Sequence, residues 1–392
     1  MAKQFVDVLV PVALDQTYSY GVPDNLELAP GDLVTVPLGA RQVVGVVWAG
    51  DVTIRPGLHN RMKDVESKLD YPPLKVELRK FVDWVSDYTL SPRGMVLRMC
   101  LRMGEHLGPA REKVGVRLAG PAPQRMTAAR SRVLRLLADG MARPKSEAAH
   151  EAGVSGGVVD GLIDEGTLET LVLPPEPVAR QPDPDHSVPE FTQAQRAAAD
   201  ALRGTLAAGG FTVTLIDGVT GSGKTEVYFE AVAECVRRGR QVLILVPEIA
   251  LTAQFLGRFA ARFGVKPAEW HSEITPRLRA RTWSAVAAGD VPVVVGARSA
   301  LFLPYKDIGL IVVDEEHDGS YKQEDGVIYN ARDMAVVRGK LSDCSVILSS
   351  ATPALETLTN AEQGRYKHVR LPDRHADAQL PRSEEHTSEL QS

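Results

Sequence analysis

The sequence predicts a multidomain α/β protein: a small N-terminal β module, a winged helix, and a parallel-sheet lobe built around a phosphate-binding loop. Three observations carry that expectation. Short β-patterned runs broken by turns fill residues 5–48, helical periodicities between 127 and 165 close on a leucine-rich strand, and from residue 211 onward apolar strands alternate with amphipathic helices. At 392 residues there is room for two or three domains, and a composition 44% hydrophobic and 24% charged is that of an ordinary soluble globular chain.

In the first domain, expected over 1–105, strands are read at Phe5 to Val12, Thr17 to Tyr20, Asp32 to Pro37 and Val43 to Trp48, with turn signals at Pro23-Asp-Asn and Pro30-Gly. Pro72-Pro73 then precede a helix through about Tyr88 with Leu78, Phe81, Val82 and Val85 on one face; Phe81, Trp84 and Tyr88 are read as core rather than as a base-stacking platform. The second domain, 106–180, carries helices at Thr127 to Ala138, Ser146 to Gly153 and Ser155 to Glu165 and a strand at 168–173, the order of a winged helix. In such a module the second helix of the pair would enter a major groove. Here that stretch bears Asp160, Asp164, Glu165 and Glu169, with no Lys or Arg between Ser146 and Val178, a surface that repels phosphates; a spacer or protein-contact role is expected. Six prolines between Pro174 and Pro189 mark a linker, placed at 181–190.

The chemistry is concentrated downstream. Gly218, Gly221, Ser222, Gly223, Lys224 and Thr225 follow the strand pattern of 211–217 in the spacing G-x-x-x-x-G-K-T. Glycines allow a tight turn whose N–H groups face phosphate oxygens, the helix start adds a positive end, Lys224 reaches the outer phosphates, and the Thr225 hydroxyl ligates Mg²⁺. Leu310 to Val313 is a continuous apolar run ending in Asp314-Glu-Glu-His317. An acidic pair at the carboxyl end of a buried parallel strand is where a nucleotidase holds Mg²⁺ and orients the attacking water. Together the two stretches read as an NTPase. Strands at 242–246, 291–295 and 346–348 end in small polar turns, where open α/β sheets bind ligands. From them Thr252, Arg298 and Ser299 could hold a single-stranded phosphate backbone, and Ser350 and Thr352 could sense nucleotide state.

Net charge is −5, which excludes wholesale nucleic-acid coating yet leaves a window from Ser91 to Lys145 with twelve basic residues against three acids. Cys100, Cys235 and Cys344 are too far apart for a zinc or disulfide framework, and neither a signal peptide nor an 18-residue apolar run is present. A cytoplasmic protein with no membrane contact is expected.

The order Phe191-Thr-x-x-Gln195, Gly218-Val-Thr-Gly-Ser-Gly-Lys-Thr-Glu-Val-Tyr228, Pro247-Glu-Ile-Ala-Leu-Thr252, Gly296-Ala-Arg-Ser-Ala300, Asp314-Glu-Glu-His317 and Ser349-Ser-Ala-Thr-Pro-Ala-Leu-Glu356 resembles a superfamily 2 helicase lobe, and its wording resembles the PriA family of primosomal replication-restart helicases. The resemblance covers residues 5 to about 381 and implies a RecA-like P-loop helicase lobe 1 over 191–375. It implies an ATP- and Mg²⁺-dependent 3′ to 5′ DNA helicase that binds forked and single-stranded DNA, recognises stalled forks and D-loops, and starts primosome assembly with single-strand-binding protein and primosome proteins as partners. A monomer is expected. By the same resemblance Lys224, Asp314 and Glu315 are catalytic, Gln195 recognises adenine, and the aromatic-rich loop Tyr321 to Arg332 touches DNA through Tyr321, Lys322 and Tyr329.

Some positions depart from the pattern. Ser19 stands where the family often has an Asp against the terminal nucleotide, and the loop at 326–330 has few aromatics. The family continues into a zinc segment with paired cysteines and a second motor lobe with an arginine finger, which are absent from this sequence, so a C-terminally truncated form is expected. Residues 382–392 read as a non-native tail similar to translated sequencing adapter. Since an arginine finger is worth about 10³ to 10⁵ in rate, little ATPase and no unwinding are expected of this length of chain. The competing reading is a fork-binding scaffold that recruits the primosome without unwinding. A type I restriction or RNA helicase motor shares the superfamily but not the wording at 247–252 and 314–323.

Overall fold

Alternating apolar residues at the start of the chain pair into a sheet, and the pairing is antiparallel throughout. In a computed structural model, which describes residues 4–50, 52, 62–102, 113–173, 177–247 and 253–372, the strands β1 (Phe5–Leu9), β2 (Tyr18–Gly21), β3 (Leu33–Leu38), β4 (Arg41–Ala49) and β5 (Ser67–Lys68) lie in the order β2-β1-β4-β3-β5. Their inward residues Val6, Val8, Tyr20, Val34, Val36 and Val47 form one apolar cluster. Helix α1 (Val76–Thr89) buries Leu78, Phe81, Val82 and Val85, as its periodicity predicts. Helix α2 (Arg93–Cys100) was not read from the sequence, because eight residues beginning Arg-Gly show too little periodicity; its buried Val96, Leu97 and Met99 make it helical through packing. The expected core role of all three aromatics needs correction. Phe81 is core, but Tyr88, in the last turn of α1, is 63% exposed and stacks on Trp84 at 4.8 Å.

The chain divides into two compact units, 107–177 and the remainder. The smaller unit holds β6 (Lys113–Leu118), α3 (Ala128–Leu136), β7 (Arg143–Pro144), α4 (Lys145–Glu151), α5 (Gly156–Asp164) and β8 (Leu168–Leu173), with a three-stranded antiparallel sheet in the order β7-β6-β8. Val116, Val133, Leu137, Val159, Leu162 and Leu168 form its core. Most of its described basic residues are matched locally. Lys113 pairs with Glu147, Arg117 with Glu169, Arg130 with Glu165, Arg143 with Asp139 and Lys145 with Asp160, while Arg132 caps the carbonyls of Ala152 and Gly153. The excess positive charge read between 91 and 145 is therefore largely spent inside the fold rather than displayed as a free basic face.

In the larger unit the β module adjoins an α/β lobe. It runs α6 (Gln193–Ala208), β9 (Thr212–Gly218), α7 (Lys224–Arg237), β10 (Gln241–Leu245), α8 (Ala253–Phe263), β11 (Ala268–Trp270), α9 (Pro276–Ala288), β12 (Val293–Gly296) and a 3₁₀ turn, Arg298–Phe302. Then follow β13 (Ile308–Val313), the short pair β14 (Lys322–Gln323) and β15 (Tyr329–Asn330), α10 (Ala331–Leu341), β16 (Ser345–Ser350), α11 (Leu355–Glu362) and β17 (Lys367–Leu371). Seven strands form an all-parallel sheet in the order β11-β12-β10-β13-β16-β9-β17. Every residue of β10, β12, β13 and β16 is buried, which is why these strands read as unbroken apolar runs. This is the RecA-like parallel-sheet lobe that the sequence predicts. The β module meets it through side chains: Trp283 Nε1 donates to the Cys100 carbonyl at 2.8 Å, and Phe81 packs 5.3 Å from Phe302.

The proline-rich segment expected as a linker is fastened to the lobe where it is described. Arg262 donates to the Pro184 carbonyl at 2.8 Å, Arg237 pairs with Asp185 at 2.6 Å, and the Asp183 N–H donates to Phe263 at 3.0 Å. Arg262 in turn pairs with the buried Glu230 at 2.7 Å. Residues 382–392 lie outside the described part of the chain.

Candidate active site

Two strand ends and one helix start converge on a cleft of about 370 Å³ lined by Gln195, Gly221, Lys224, Thr225, Arg258 and Glu315, with Pro189 to Phe191 along its rim. The turn from β9 into α7 depends on glycine. Gly221 and Gly223 have φ of 82° and 84°, and a Cβ on Gly223 would sit 2.4 Å from Gln195 Nε2. At Gly218 a Cβ would meet Ser222 Oγ at 2.6 Å. Lys224 is buried, its ammonium donating to the Gly218 carbonyl at 2.8 Å and lying 4.0 Å from Glu315 Oε1.

A phosphate chain fits this donor set. The loop is shaped for close backbone approach, the helix start supplies N–H groups, and the buried Ser222 hydroxyl has no protein partner. Thr225 and Asp314 carry oxygens of the kind that Mg²⁺ prefers and would be its candidate ligands.

Gln195 is used by the protein itself. It closes a capping box at the start of α6, where Thr192 N–H donates to Gln195 Oε1 at 3.0 Å and Gln195 N–H donates back to Thr192 Oγ1 at 3.3 Å. Its Nε2 also donates to the Ser222 carbonyl at 2.9 Å. The side chain thus braces the phosphate loop through one of its two amide N–H groups.

The acidic stretch is held as a sequence of anchors. Asp314 N–H donates to Leu245 at 2.9 Å, its Oδ1 accepts from the Glu315 N–H at 3.2 Å, and its Oδ2 accepts from the Tyr228 hydroxyl at 3.0 Å. Burial, then the adjacent Glu315, hold the Asp314 carboxyl above the usual carboxylate range, with Tyr228, Ser349 and Lys224 pulling the other way. Glu315 adopts a φ of 46°, a strained conformation for a side chain with a Cβ, and remains partly exposed toward Lys224. The next residue turns inward. Glu316 is fully buried and accepts from Ala354 N–H at 2.7 Å, from Thr357 Oγ1 at 3.0 Å and from Arg332 at 3.4 Å. His317 Nδ1 shares a hydrogen bond with Ser350 Oγ at 2.7 Å, and Ser350 Oγ accepts from the Thr352 N–H at 3.0 Å. Ser350 and Thr352 therefore lie beside the acids, as the sequence suggests, with Ser350 buried and Thr352 exposed.

The aromatic readings fail. Tyr321 and Tyr329 are 1% and 3% exposed, so neither ring can stack on a base. The Tyr321 hydroxyl points inward to the carbonyls of Asp314, at 2.6 Å, and Leu245, at 3.1 Å; Tyr329 packs edge-on to Phe302 at 5.5 Å. Their hydrophobic rings were worth more in the interior than on the loop surface. Arg298 is committed to the same loop, donating to the carbonyls of Ser320 and Lys322 at 2.8 and 3.0 Å. Lys322 projects outward and pairs with Glu324, and Ser299 follows Arg298 in the 3₁₀ turn; Thr252 lies outside the described residues.

Two residues that shape the site were not singled out from sequence. Tyr228 recurs one helical turn after Lys224, a spacing that puts both on one face. Glu316 is one of two adjacent glutamates that a pattern cannot tell apart. In the β module, Ser19, which stands where the family often has an Asp, donates to Asp7 Oδ1 at 2.6 Å across the strand pair.

Residues 7–102 match the family model of the PriA 3′ DNA-binding domain, and residues 192–361 match that of the DEAD/DEAH box helicases. Proteins described as replication restart protein PriA are similar along most of the chain. That of Rickettsia conorii is 33% identical over 381 residues, covering 96% of this chain and 47% of the relative. For Haemophilus influenzae the identity is 32%, covering 95% and 52%, and for Bacillus subtilis 30%, covering 94% and 56%. The chain spans about half the length of these curated relatives. The order of a 3′ DNA-binding domain ahead of a helicase domain, with similarity across both, is what this chain shares with these PriA proteins.

Proposed function

We propose that the chain is the DNA-end-binding and ATP-binding part of a replication-restart helicase that moves 3′ to 5′, acts at stalled forks and D-loops, and starts primosome assembly. The observation that carries the proposal is the meeting of Lys224, Thr225 and Glu315 in one cleft at the carboxyl ends of parallel strands, with Asp314 bonded to Tyr228 beside it, in a chain whose first hundred residues match a 3′ DNA-binding domain.

In this reading Lys224 exchanges the Gly218 carbonyl for a phosphate oxygen when ATP enters, and Gln195 keeps the loop in register while offering its free N–H to the base. Mg²⁺ held by Thr225 and Asp314 would neutralise charge on the phosphates. Glu315, held open by its backbone conformation, takes the proton from the attacking water. His317 passes the state of the acids to Ser350, whose hydroxyl orients Thr352. DNA contact falls to Thr252, Ser299 and Lys322, with Arg298 shaping the loop behind them. A monomer working in the cytoplasm with single-strand-binding protein and primosome proteins fits this role; among the described residues no helix is long and apolar enough to cross a membrane.

The test is ATPase activity with and without forked DNA, on this chain and on the full-length protein. DNA-dependent turnover in the full-length protein, lost in Lys224→Ala while fork binding persists, is expected. Silence of the full-length protein on every fork would favour a scaffold that binds forks without unwinding them.

A further inference from the structure

Helix α7 places under the phosphate loop a hydroxyl that the proposed cycle does not use. Tyr228 lies four residues beyond Lys224 and three beyond Thr225, so the three side chains share one helix face. Its ring is fully buried and meets Phe229 edge-on at 5.3 Å, an apolar setting in which phenylalanine would pack as well. The hydroxyl is therefore the feature that needs a reason, since burying it is costly unless it finds a partner. That partner is Asp314, whose Oδ2 accepts from it at 3.0 Å, and the Thr225 hydroxyl is also within its reach. With the Glu315 N–H on Oδ1 at 3.2 Å, the Asp314 carboxylate is held from both sides by donors on two different elements.

We infer that Tyr228 is a positioning residue for the divalent cation: its hydroxyl sets the rotamer of Asp314 and ties it to Thr225, so that the two ligating groups are aligned before Mg²⁺ arrives. The inference rests on the nucleotide reading above. Outer-shell donors of this kind typically contribute about 10- to 100-fold to metal affinity. Phosphate contacts from the loop itself do not pass through Tyr228, so nucleotide binding without metal should not depend on it.

The experiment is a titration of a fluorescent ATP analogue into the chain, with Mg²⁺ and with EDTA, for wild type, Tyr228→Phe, Asp314→Asn and the double variant. In Tyr228→Phe the affinity in EDTA is expected to stay at the wild-type value, while the Mg²⁺ concentration for half-maximal tightening rises about tenfold or more. In the Asp314→Asn background the same change should add nothing. An unaltered Mg²⁺ dependence in Tyr228→Phe overturns the inference and leaves the nucleotide reading standing. Equal weakening with and without Mg²⁺, accompanied by a lower Tm, overturns it in favour of packing. Wild-type chain that binds no nucleotide under either condition removes both.

Discussion

Asp314 is held above the ordinary carboxylate range by burial and by Glu315, so the folded state binds its proton more tightly than the unfolded chain does. The unfolded chain loses that proton near the ordinary aspartate value of about 3.9, the folded one at higher pH. Stability contributed at this position is thus greatest below about pH 4 and falls as pH rises through the folded value; at neutral pH the charge is a net cost. Asp314→Asn should therefore raise Tm at pH 7, lose that advantage near pH 4, and abolish hydrolysis, a pattern that thermal melts across pH would check. Gln195 separates two roles in one amide. Gln195→Glu keeps the acceptor that closes the capping box but sets a carboxylate oxygen against the Ser222 carbonyl, so nucleotide affinity and urea stability should both fall. Gln195→Ala loses both bonds and should cost about 1–2 kcal/mol in the same unfolding experiment.

At the scale of elements, single buried acids fasten segments far apart in sequence. Glu230 on α7 pairs with Arg262 on α8, both buried, and also receives Arg203 from α6 at 2.9 Å. Removing one partner of a buried pair leaves an uncompensated charge, so Glu230→Ala should destabilise by about 3–5 kcal/mol in denaturant melts. Because Arg262 also holds the Pro184 carbonyl, the 183–185 segment should become more protease-sensitive in the same variant. Glu316 plays the corresponding part between β13, α10 and α11. Glu316→Gln retains an acceptor for the Ala354 N–H but weakens the pairing with Arg332, and a loss of ATP turnover larger than the loss of nucleotide affinity is expected.

For the molecule as a whole, the β module and the nucleotide lobe share a buried seam. Trp283 is fully buried, bonded to the Cys100 carbonyl and 5.7 Å edge-on from Tyr71, while the Arg338 guanidinium lies 5.4 Å over Phe81. Two elements joined this way should unfold together, separately from the 107–177 unit with its own core. Calorimetry is expected to show two transitions, and Trp283→Ala, at a cost of about 3–5 kcal/mol, should split the larger one. Three transitions in the wild type would show that the seam does not couple them.

Read from the sequence alone, the phosphate loop, the acidic strand end and the helices and strands around them were legible because each is local: glycine spacing, a run of apolar residues, a 3.6-residue period. Helix α1 was expected to run to about Tyr88 and ends at Thr89, and β8 was expected and found at 168–173. What the sequence could not determine were relations between distant residues. Glu315 and Glu316 are equivalent as letters, yet backbone geometry turns one to the cleft and the other to Arg332 and Thr357. Tyr321 and Tyr329 read as surface aromatics on a polar loop, but the sheet edge beneath them offered burial and, for Tyr321, two carbonyls. The basic window was a count of charges, which ignores partners, and Glu147, Asp160, Glu165 and Glu169 supply several of these from later in the chain. Periodicity reports what a residue's neighbours in sequence require; only the packed topology decides which side chain meets which, and that is where burial and hydrogen-bond satisfaction are settled.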